Sequence, residues 1–315
     1  MFNGLHYNSI STVLKDTFGR RIVKLSVDGH FTCPNRDGKT GLGGCSFCSS
    51  LGSGEFTANA AEPLSITAQL QSQAEHLSSK WDDDCRYIAY FQAFTNTYAP
   101  KEKLRALYDE ALSFPGVVGL AIATRPDCLP DEVLDLLDEY NKTTYLWLEL
   151  GLQTSNEKTA KDFGRGYENA VFEKAMHELS TRGIKTVVHM ILGLPGDTKA
   201  DMLKTASYIN SFNPFGLKIH MLNILKDSRL GKLYLKEANN PSSQAVALLS
   251  KEEYVNLVCD IIELMSPSVT IHRLTGDGAA QNLLAPLWVK NKHAVLNDIQ
   301  KEFSRRGSWQ GQKLL

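Results

Sequence analysis

Strand and helix patterns alternate strictly along this chain, and the alternation predicts an α/β fold with a parallel sheet and right-handed crossovers. Two further observations select a barrel over a doubly wound sheet. Polar residues recur at matching strand ends, where the βα loops of a barrel converge on one central site. A chain of 315 residues, 43% hydrophobic and 22% charged, also suits one large domain with appendages.

The elements follow in order. Residues 1–20 form an N-terminal extension, and Ile22-Val23-Lys24-Leu25-Ser26-Val27-Asp28 alternates as the first strand. Leu70, Ala74, Leu77 and Trp81 set the apolar face of a helix over 65–80, and aromatic and β-branched residues make a strand of 86–94. Pro100 and Pro130 open helices over 101–113 and 131–141, on either side of a strand over 117–124. Strands over 144–152, 186–192 and 217–224 alternate with helices over 168–182 and 198–211. Beyond the last of these strands, 226–250 loses periodicity, contains Asn239-Asn240-Pro241-Ser242-Ser243, and reads as an insertion or lid. A helix over 251–265 and a short strand over 269–274 complete a barrel domain spanning 21–274, ahead of Thr275-Gly276-Asp277-Gly278.

The extension over 275–315 is basic. Between 281 and 315, Lys290, Lys292, Lys301, Arg305, Arg306 and Lys313 outnumber Asp298 and Glu302, with Trp288 and Trp309 interleaved. Such a tail either grips a phosphate backbone or packs as a solvated helix over a barrel end. The formal net charge of -1 excludes a generally basic nucleic-acid coat. Residues 1–11 lack the charged and apolar regions of a signal peptide, and no apolar run approaches the roughly 20 residues of a membrane span, so a cytoplasmic, membrane-free protein with free thiols is expected.

The stretch least like a core segment runs from Thr32 to Cys48. Its 17 residues hold Cys33, Cys45 and Cys48 in the spacing C-x11-C-x2-C, together with Gly38, Gly41, Gly43 and Gly44. Thiolates this close serve a disulfide, a zinc site or an iron-sulfur cluster. Cys85, Cys128 and Cys259 are scattered singly among apolar residues, which leaves three clustered thiols. Three suit a 4Fe-4S cluster with one open iron; with His30 as a fourth ligand they would suit zinc.

By the period of two, Glu149, Gly151 and Gln153 share one face of their strand, as do Val187, His189 and Ile191 of the next. Inward polar groups in an apolar barrel are costly unless they bind a ligand, one another or water.

Taken together, the cysteine loop and the strand ends resemble the radical S-adenosylmethionine (SAM) superfamily over nearly the whole chain. The resemblance is carried by Thr124-Arg125-Pro126-Asp127, Leu148-Glu149-Leu150-Gly151-Leu152-Gln153-Thr154, Gly164-Arg165-Gly166-Tyr167 and Ile191-Leu192-Gly193-Leu194-Pro195-Gly196, in that order behind the cysteines. The branch it resembles is that of the Elongator catalytic subunit and the oxygen-independent coproporphyrinogen dehydrogenases. It implies a partial (β/α)6 TIM-like barrel of the radical SAM type, a 4Fe-4S cluster on Cys33, Cys45 and Cys48, and SAM on the open iron. Arg165 would pair with the methionine carboxylate, Gln153 and His189 would lie near the ribose, and Glu149 would touch the amino group or adenosine. Gly193 and Gly196 would let the backbone approach adenine. The usual Gly-Gly-Glu is replaced by Gln92-Ala93-Phe94-Thr95-Asn96-Thr97, so methionine binding would rest on Ala93 and Phe94 with Thr95 or Asn96.

Most of the superfamily uses C-x3-C-x2-C. The eleven-residue gap resembles a small bacterial subfamily implicated in wobble-uridine modification of tRNA, converting a carboxymethylaminomethyl group to aminomethyl. That implies a tRNA substrate and a reductant such as flavodoxin or ferredoxin. Arg125, Lys218 and Arg273 are the candidate cations for a substrate carboxylate. Two other readings stand beside this one: radical chemistry on a small metabolite or a protein, and a noncatalytic zinc-knuckle RNA-binding protein.

Overall fold

The computed structural model describes residues 2, 4–52, 64–78, 84–238, 246–276 and 281–314. In chain order the elements are α1 (Ile10–Phe18), β1 (Ile22–Val27), α2 (Ile66–Ser78), β2 (Arg86–Phe91), α3 (Lys101–Ser113), β3 (Val117–Thr124), α4 (Asp131–Thr143), β4 (Tyr145–Gln153), α5 (Glu157–Asp162), α6 (Asn169–Thr181), β5 (Lys185–Leu192), α7 (Lys199–Ser211), β6 (Gly216–Met221), β7 (Ile224–Leu225), α8 (Arg229–Ala238), α9 (Lys251–Leu264), β8 (Thr270–Arg273), β9 (Leu283–Ala285) and α10 (Lys292–Arg306). Seven strands form one sheet in the order β1-β2-β3-β4-β5-β6-β8, and every neighbouring pair is parallel. This is the predicted α/β architecture, a curled half-barrel in which the last short strand adds a seventh member to the series of six.

The two faces of the sheet are built differently. Outward side chains such as Leu146, Leu148, Leu150 and Leu152 of β4 are fully buried beneath the helices, together with Leu136 and Leu137 of α4 and Leu179 of α6. Each buried leucine contributes roughly 1.5–3 kcal/mol. Helix starts are fixed locally: Thr198 with Asp201, and Ser250 with Glu253, close capping boxes on α7 and α9. Inward, Ile88, Tyr90, Ala121, Trp147 and Val187 meet Ile10 and Leu14, so α1 plugs the bottom of the half-barrel. Residues 1–20 are therefore not a bare extension, and the Ile10, Val13, Leu14, Thr17 and Phe18 spacing of α1 is the signal the sequence carried for it.

Several expectations shift. β2 ends at Phe91 rather than 94, because the chain turns sharply at Phe94, whose φ is 60°. The strand expected over 217–224 breaks after Met221, and Ile224–Leu225 leaves the sheet to pair antiparallel with Leu283–Ala285. The lid over 226–250 holds the amphipathic helix α8 instead, while Asn239-Asn240-Pro241-Ser242-Ser243, Lys80, Trp81, Asp277 and Gly278 lie outside the described residues. The basic tail folds back as α10 against α9. Arg305 and Arg306 pair with Glu302, Arg306 also with Asp260 and Glu263, and Lys313 with Glu263. Arg305, Arg306 and Lys313 are thus engaged within the chain.

The centre of the half-barrel is polar. Glu149 of β4 is 1% exposed, and its Oε2 accepts from Lys218 Nζ of β6 at 2.6 Å, His189 Nε2 of β5 at 2.7 Å and Tyr90 Oη of β2 at 2.8 Å. Its Oε1 accepts from Trp147 Nε1 at 3.1 Å, and Lys218 Nζ also donates to Tyr90 Oη at 2.9 Å. Burial alone would raise the Glu149 carboxyl, but Lys218, the His189 hydrogen bond and Lys24 of β1 outweigh it and hold the group well below the usual range. Burial draws Lys218 down to about 7, and the Glu149 contact opposes that shift.

Two predictions follow from this packing. A Cβ added to Gly119 in β3 would lie 2.2 Å from the Tyr145 carbonyl oxygen and 2.9 Å from Ile88 Cδ1. Gly119→Ala should therefore push β3 off β4 and lower stability by about 1–3 kcal/mol, read as a fall in the urea midpoint. Burial also holds His189, His220 and His272 neutral, His189 at about 4 and the other two well below 6.5. The unfolded chain binds protons that these residues refuse, so stability should fall as pH drops from about 6.5 to 4, by up to about 1.4 kcal/mol per pH unit for each histidine. Urea titrations across that window measure the slope, and His189→Gln should remove about one proton from it. A profile unchanged by the substitution would contradict this assignment.

Candidate functional site

The cysteine loop folds on its own hydrogen bonds. Cys33 O accepts from Arg36 N at 2.7 Å and Asp37 N at 3.2 Å, and Pro34 O accepts from Thr40 N at 2.8 Å. Gly44 N then returns to Asn35 O at 2.7 Å, which closes the eleven-residue excursion between Cys33 and Cys45. Asn35 is 4% exposed and reaches from inside the loop, its Nδ2 donating to Gly164 O at 2.6 Å and to Cys45 Sγ at 3.5 Å. Gly41 must be a glycine for this, since a Cβ there would stand 2.3 Å from Asn35 Oδ1.

The segment expected as a lid fastens the loop from outside. Arg229 Nη2 donates to Gly44 O at 2.6 Å, Leu230 N to Ser46 O at 2.8 Å, and Ser50 N and Oγ to Asp227 Oδ2 at 2.7 and 2.6 Å. Beneath it Phe47 meets Phe163, with ring centroids 5.2 Å apart, in an apolar cluster that includes Leu194, Leu222, Ile224 and Leu230.

Cys33, Cys45 and Cys48 line a single cavity of about 260 Å³ whose wall also includes the C-terminal ends of the sheet strands. All three thiols are free of disulfides. The hydrogen bond from Cys48 brings Cys45 down to about 7 against the cost of burial, helped by Arg125, Asn35 and Arg229, and raises Cys48. Arg36, Arg125, Arg165, Lys218 and Arg273 line the cavity with Glu149, and three of these cations carry their own carboxylates: Arg125 with Asp127, Arg165 with Glu157 and Lys218 with Glu149. Among the described residues no three His, Cys, Asp or Glu side chains gather as ligands of one metal ion. His30 faces elsewhere, with Nε2 on Leu64 O at 3.1 Å. The donor set therefore fits a cluster in which each thiolate meets its own iron, and does not fit a zinc knuckle.

Of the other expected site residues, Phe94, Thr95, Arg125, Glu149, Gln153, Arg165, His189, Lys218 and Arg273 line this cavity. Ala93, Asn96, Gly193 and Gly196 do not. Ala93 is fully buried, and Asn96 is spent as a staple, its Nδ2 donating to Phe91 O at 3.1 Å and Ala123 O at 2.8 Å. Gly193 and Gly196 have φ of 84° and 98° and serve the turn after β5, packed toward Leu249 and Thr159. Phe94 and Gln153, at φ of 60° and 67°, are non-glycine residues held in the left-handed region on the cavity wall, the strained placement often found at functional sites. Gln153 folds back over Gly151, where a Cβ would meet its Nε2 at 2.4 Å.

Two expected roles change. Arg165 is 1% exposed, and all five of its N–H donors are committed: to Tyr167 O, Leu152 O, Thr154 O, Glu157 Oε2 and Asn169 Oδ1, at 2.9 to 3.2 Å. It fastens the end of β4 to the following loop, and a methionine carboxylate would find no donor left on it. Lys218 is committed to Glu149 and Tyr90, and Arg125 is locked in a two-pronged pair with Asp127 at 2.9 and 2.8 Å, so neither presents a loose charge to a substrate. Glu149 and His189 bond one another. Sequence reasoning missed Tyr90, Arg36, His220 and Asn223 on the same wall. The period of two that marked Glu149 also marks Tyr90 in β2 and His220 beside Lys218 in β6.

No helix among the described residues is long and apolar enough to cross a membrane. Residues 33–209 match the model of the radical SAM superfamily, and residues 214–305 match that of the Radical_SAM C-terminal domain. The chain is 43% identical over 305 residues to the YtqA protein of Bacillus subtilis (strain 168), covering 97% of this chain and 92% of that one. It is 37% identical over 291 residues to the YhcC protein of Escherichia coli (strain K12), covering 92% and 90%. Its fold is similar to that of an N-terminally truncated Elp3 from the archaeon Methanocaldococcus infernus, with a TM-score of 0.67 and 16% identity; the match covers 92% of this chain but only 64% of the length of that Elp3. The chain belongs to the radical SAM superfamily, whose cofactors are a 4Fe-4S cluster and S-adenosylmethionine, and is a radical SAM enzyme.

Proposed function

We propose that this radical SAM enzyme acts on tRNA and converts wobble 5-carboxymethylaminomethyluridine, or its 2-thio form, to 5-aminomethyluridine. The observation that carries the chemistry is the meeting of Cys33, Cys45 and Cys48 with the polar strand ends in one cavity. The C-x11-C-x2-C spacing, by its resemblance to a wobble-uridine subfamily, supports the substrate. The paired tail cations do not add to it, since Arg305, Arg306 and Lys313 are engaged within the chain.

When bound, the cluster and SAM supply a deoxyadenosyl radical that abstracts hydrogen from carbon. The residues hold and orient what reacts. Cys33, Cys45 and Cys48 would ligate three irons, with the Asn35 amide donating toward the Cys45 sulfur, a contact of the kind that tunes cluster potential. Phe94 and Thr95 would flank the methionine end, and Gln153 and His189 the ribose. Arg36, fastened to Ser49 O and to Ser50 O and lying 5.2 Å over the Phe94 ring, keeps a fixed positive charge beside that end. Abstraction of a hydrogen from the carboxymethyl carbon beside the secondary amine would leave a radical that the nitrogen lone pair stabilises; loss of a second electron and a proton would give an imine, and water would hydrolyse it to the aminomethyl group and glyoxylate, with SAM, cleaved to methionine and deoxyadenosine, as the net two-electron oxidant.

In this reading residues 21–274 form the barrel, with 1–20 as its plug and 275–315 as a C-terminal extension. The setting is the reducing cytoplasm, with an acidic one-electron carrier such as flavodoxin or ferredoxin as reductant.

Anaerobic reconstitution should give about four irons per chain, and Cys33→Ala, Cys45→Ala or Cys48→Ala should each abolish the cluster absorbance and SAM cleavage. With tRNA from a strain lacking this step, the wild-type protein should form deoxyadenosine and yield a new 5-aminomethyluridine peak on nucleoside analysis. Cleavage with no change in the tRNA would overturn the substrate and redirect the search to a metabolite or a protein. Zinc in place of iron would overturn the chemistry.

A further inference from the structure

The hydrogen bond from Gly44 N to Asn35 O closes the cysteine loop behind residues 37–43, which form a tip of their own. Asp37 bridges to Leu42 in antiparallel fashion, Gly38 N donates to Gly41 O at 3.2 Å, and Lys39 N donates to Asp37 Oδ1 at 3.1 Å. These local bonds hold the tip in shape, and Leu42 stands on it 78% exposed, with Lys39 exposed nearby in the same turn.

Helix α8 continues this surface. Leu230 and Tyr234 turn inward to the apolar cluster beneath Phe47. Arg229, Lys232, Leu233 and Lys236 recur at i, i+3, i+4 and i+7 and form one stripe, on which Lys232, Leu233 and Lys236 are exposed. The stripe begins against the cluster ligands: Arg229 Nη2 donates to Gly44 O and Leu230 N to Ser46 O, the two residues that flank Cys45. Ser50 is fastened to Asp227, which brings exposed Leu51 to the same end of the helix. Three exposed leucines, Leu42, Leu51 and Leu233, thus lie among the cations Lys39, Arg229, Lys232 and Lys236. The acids nearby are already occupied, Asp37 by Lys39 N and Asp227 by Ser50 and Asn282.

Apolar side chains set among charges of one sign suit a transient protein interface, and the cations select an acidic partner. Position selects its task. Electron transfer weakens steeply with distance, and a protein seated on this stripe would lie against the backbone on either side of Cys45. We propose that α8 and the tip of the cysteine loop form the docking surface for an acidic one-electron carrier protein, whose apolar patch meets Leu42, Leu51 and Leu233 and whose carboxylates meet Lys39, Lys232 and Lys236. The carrier loses one electron and the cluster gains one, with no bond made or broken. The inference rests on the proposed cluster ligands and reductant for the kind of partner, and on geometry for its place.

The probes are a flavodoxin carrying oxidised FMN and a 2Fe-2S ferredoxin, each titrated calorimetrically into the reconstituted enzyme under anaerobic conditions. At least one should bind, and its Kd should rise about 10-fold as salt is raised from about 0.05 to 0.5 M. Lys232→Glu combined with Lys236→Glu should weaken binding about 30-fold and flatten the salt dependence, and Leu233→Ser should weaken it about 5-fold. The same charge change on the exposed surface of α6 and α7, Lys174→Glu with Lys204→Glu, should leave binding unchanged. Growth of the reduced cluster's paramagnetic resonance signal should slow by the same factors with reduced carrier as donor, and should keep its wild-type rate with dithionite, which needs no docking. Iron content and thermal melting confirm that the variants fold. Binding of neither carrier, or equal binding by the wild-type protein and the double variant, overturns the surface and leaves the cluster reading standing. Equal slowing with dithionite also overturns it. Weakened tRNA binding with unchanged carrier binding assigns the stripe to RNA and overturns the proposal. Carrier binding that depends on Lys232 and Lys236 in a chain that takes up no iron supports the surface and overturns the cluster reading instead.

Discussion

The half-barrel depends on one carboxylate. Glu149 stands at its centre and ties β2, β4, β5 and β6 through Tyr90, Trp147, His189 and Lys218. A lone buried carboxylate would be expelled or protonated, and a lone buried lysine likewise would lose its proton. Each is tolerable because the other is 2.6 Å away and the remaining lone pairs are satisfied. An apolar core of equal volume would pack the sheet as well, so stability does not explain the pair. What the pair supplies is a fixed dipolar floor that leaves the cavity above it polar and rigid, as a reactive intermediate shielded from water requires.

The second constraint is the cysteine loop, which has no regular structure of its own. It is held from inside by Asn35 and from outside by Asp227, Arg229 and Leu230. The segment running from β7 into the first turn of α8 reads as loose because its apolar residues are few and it follows a break in the sheet. Those few residues, Ile224 and Leu230, sit in the cluster beneath Phe47. A strap of this kind must be polar outside and apolar at two or three points, which in sequence looks like a lid.

The local patterns made the outline legible and the contacts illegible. α3 and β3 fall on the expected residues because Pro100 and the Pro-Gly turn punctuate them. The break after Met221 was hidden, since 217–224 is apolar enough to continue as a strand and only pairing with Leu283–Ala285 ends it. The cavity side of β4 and β5 was legible from the period of two. Whether a polar residue there meets a ligand or a neighbour was not, because that depends on side chains from strands 40 to 69 residues away. Gly193 and Gly196 illustrate the same limit: a positive φ in a turn and a close approach to a ligand leave the same residue in the sequence.

The cations show how a census of hydrogen bonds separates roles that charge alone cannot. Arg165 has donors for five acceptors and meets five, all of them in its own chain. Its position in Gly164-Arg165-Gly166-Tyr167 then reflects the need to fix the end of β4, where Gln153 is held at φ 67° and Tyr167 Oη donates to Gly151 O. A guanidinium stacked 4.6 Å from the Tyr167 ring and saturated by three backbone carbonyls, a carboxylate and a side-chain amide oxygen is a rigid support. Support of that kind is what a strained cavity wall needs, since a left-handed non-glycine residue persists only where its surroundings over-determine it. The cation that saturates its own loop thus shapes the site without entering it.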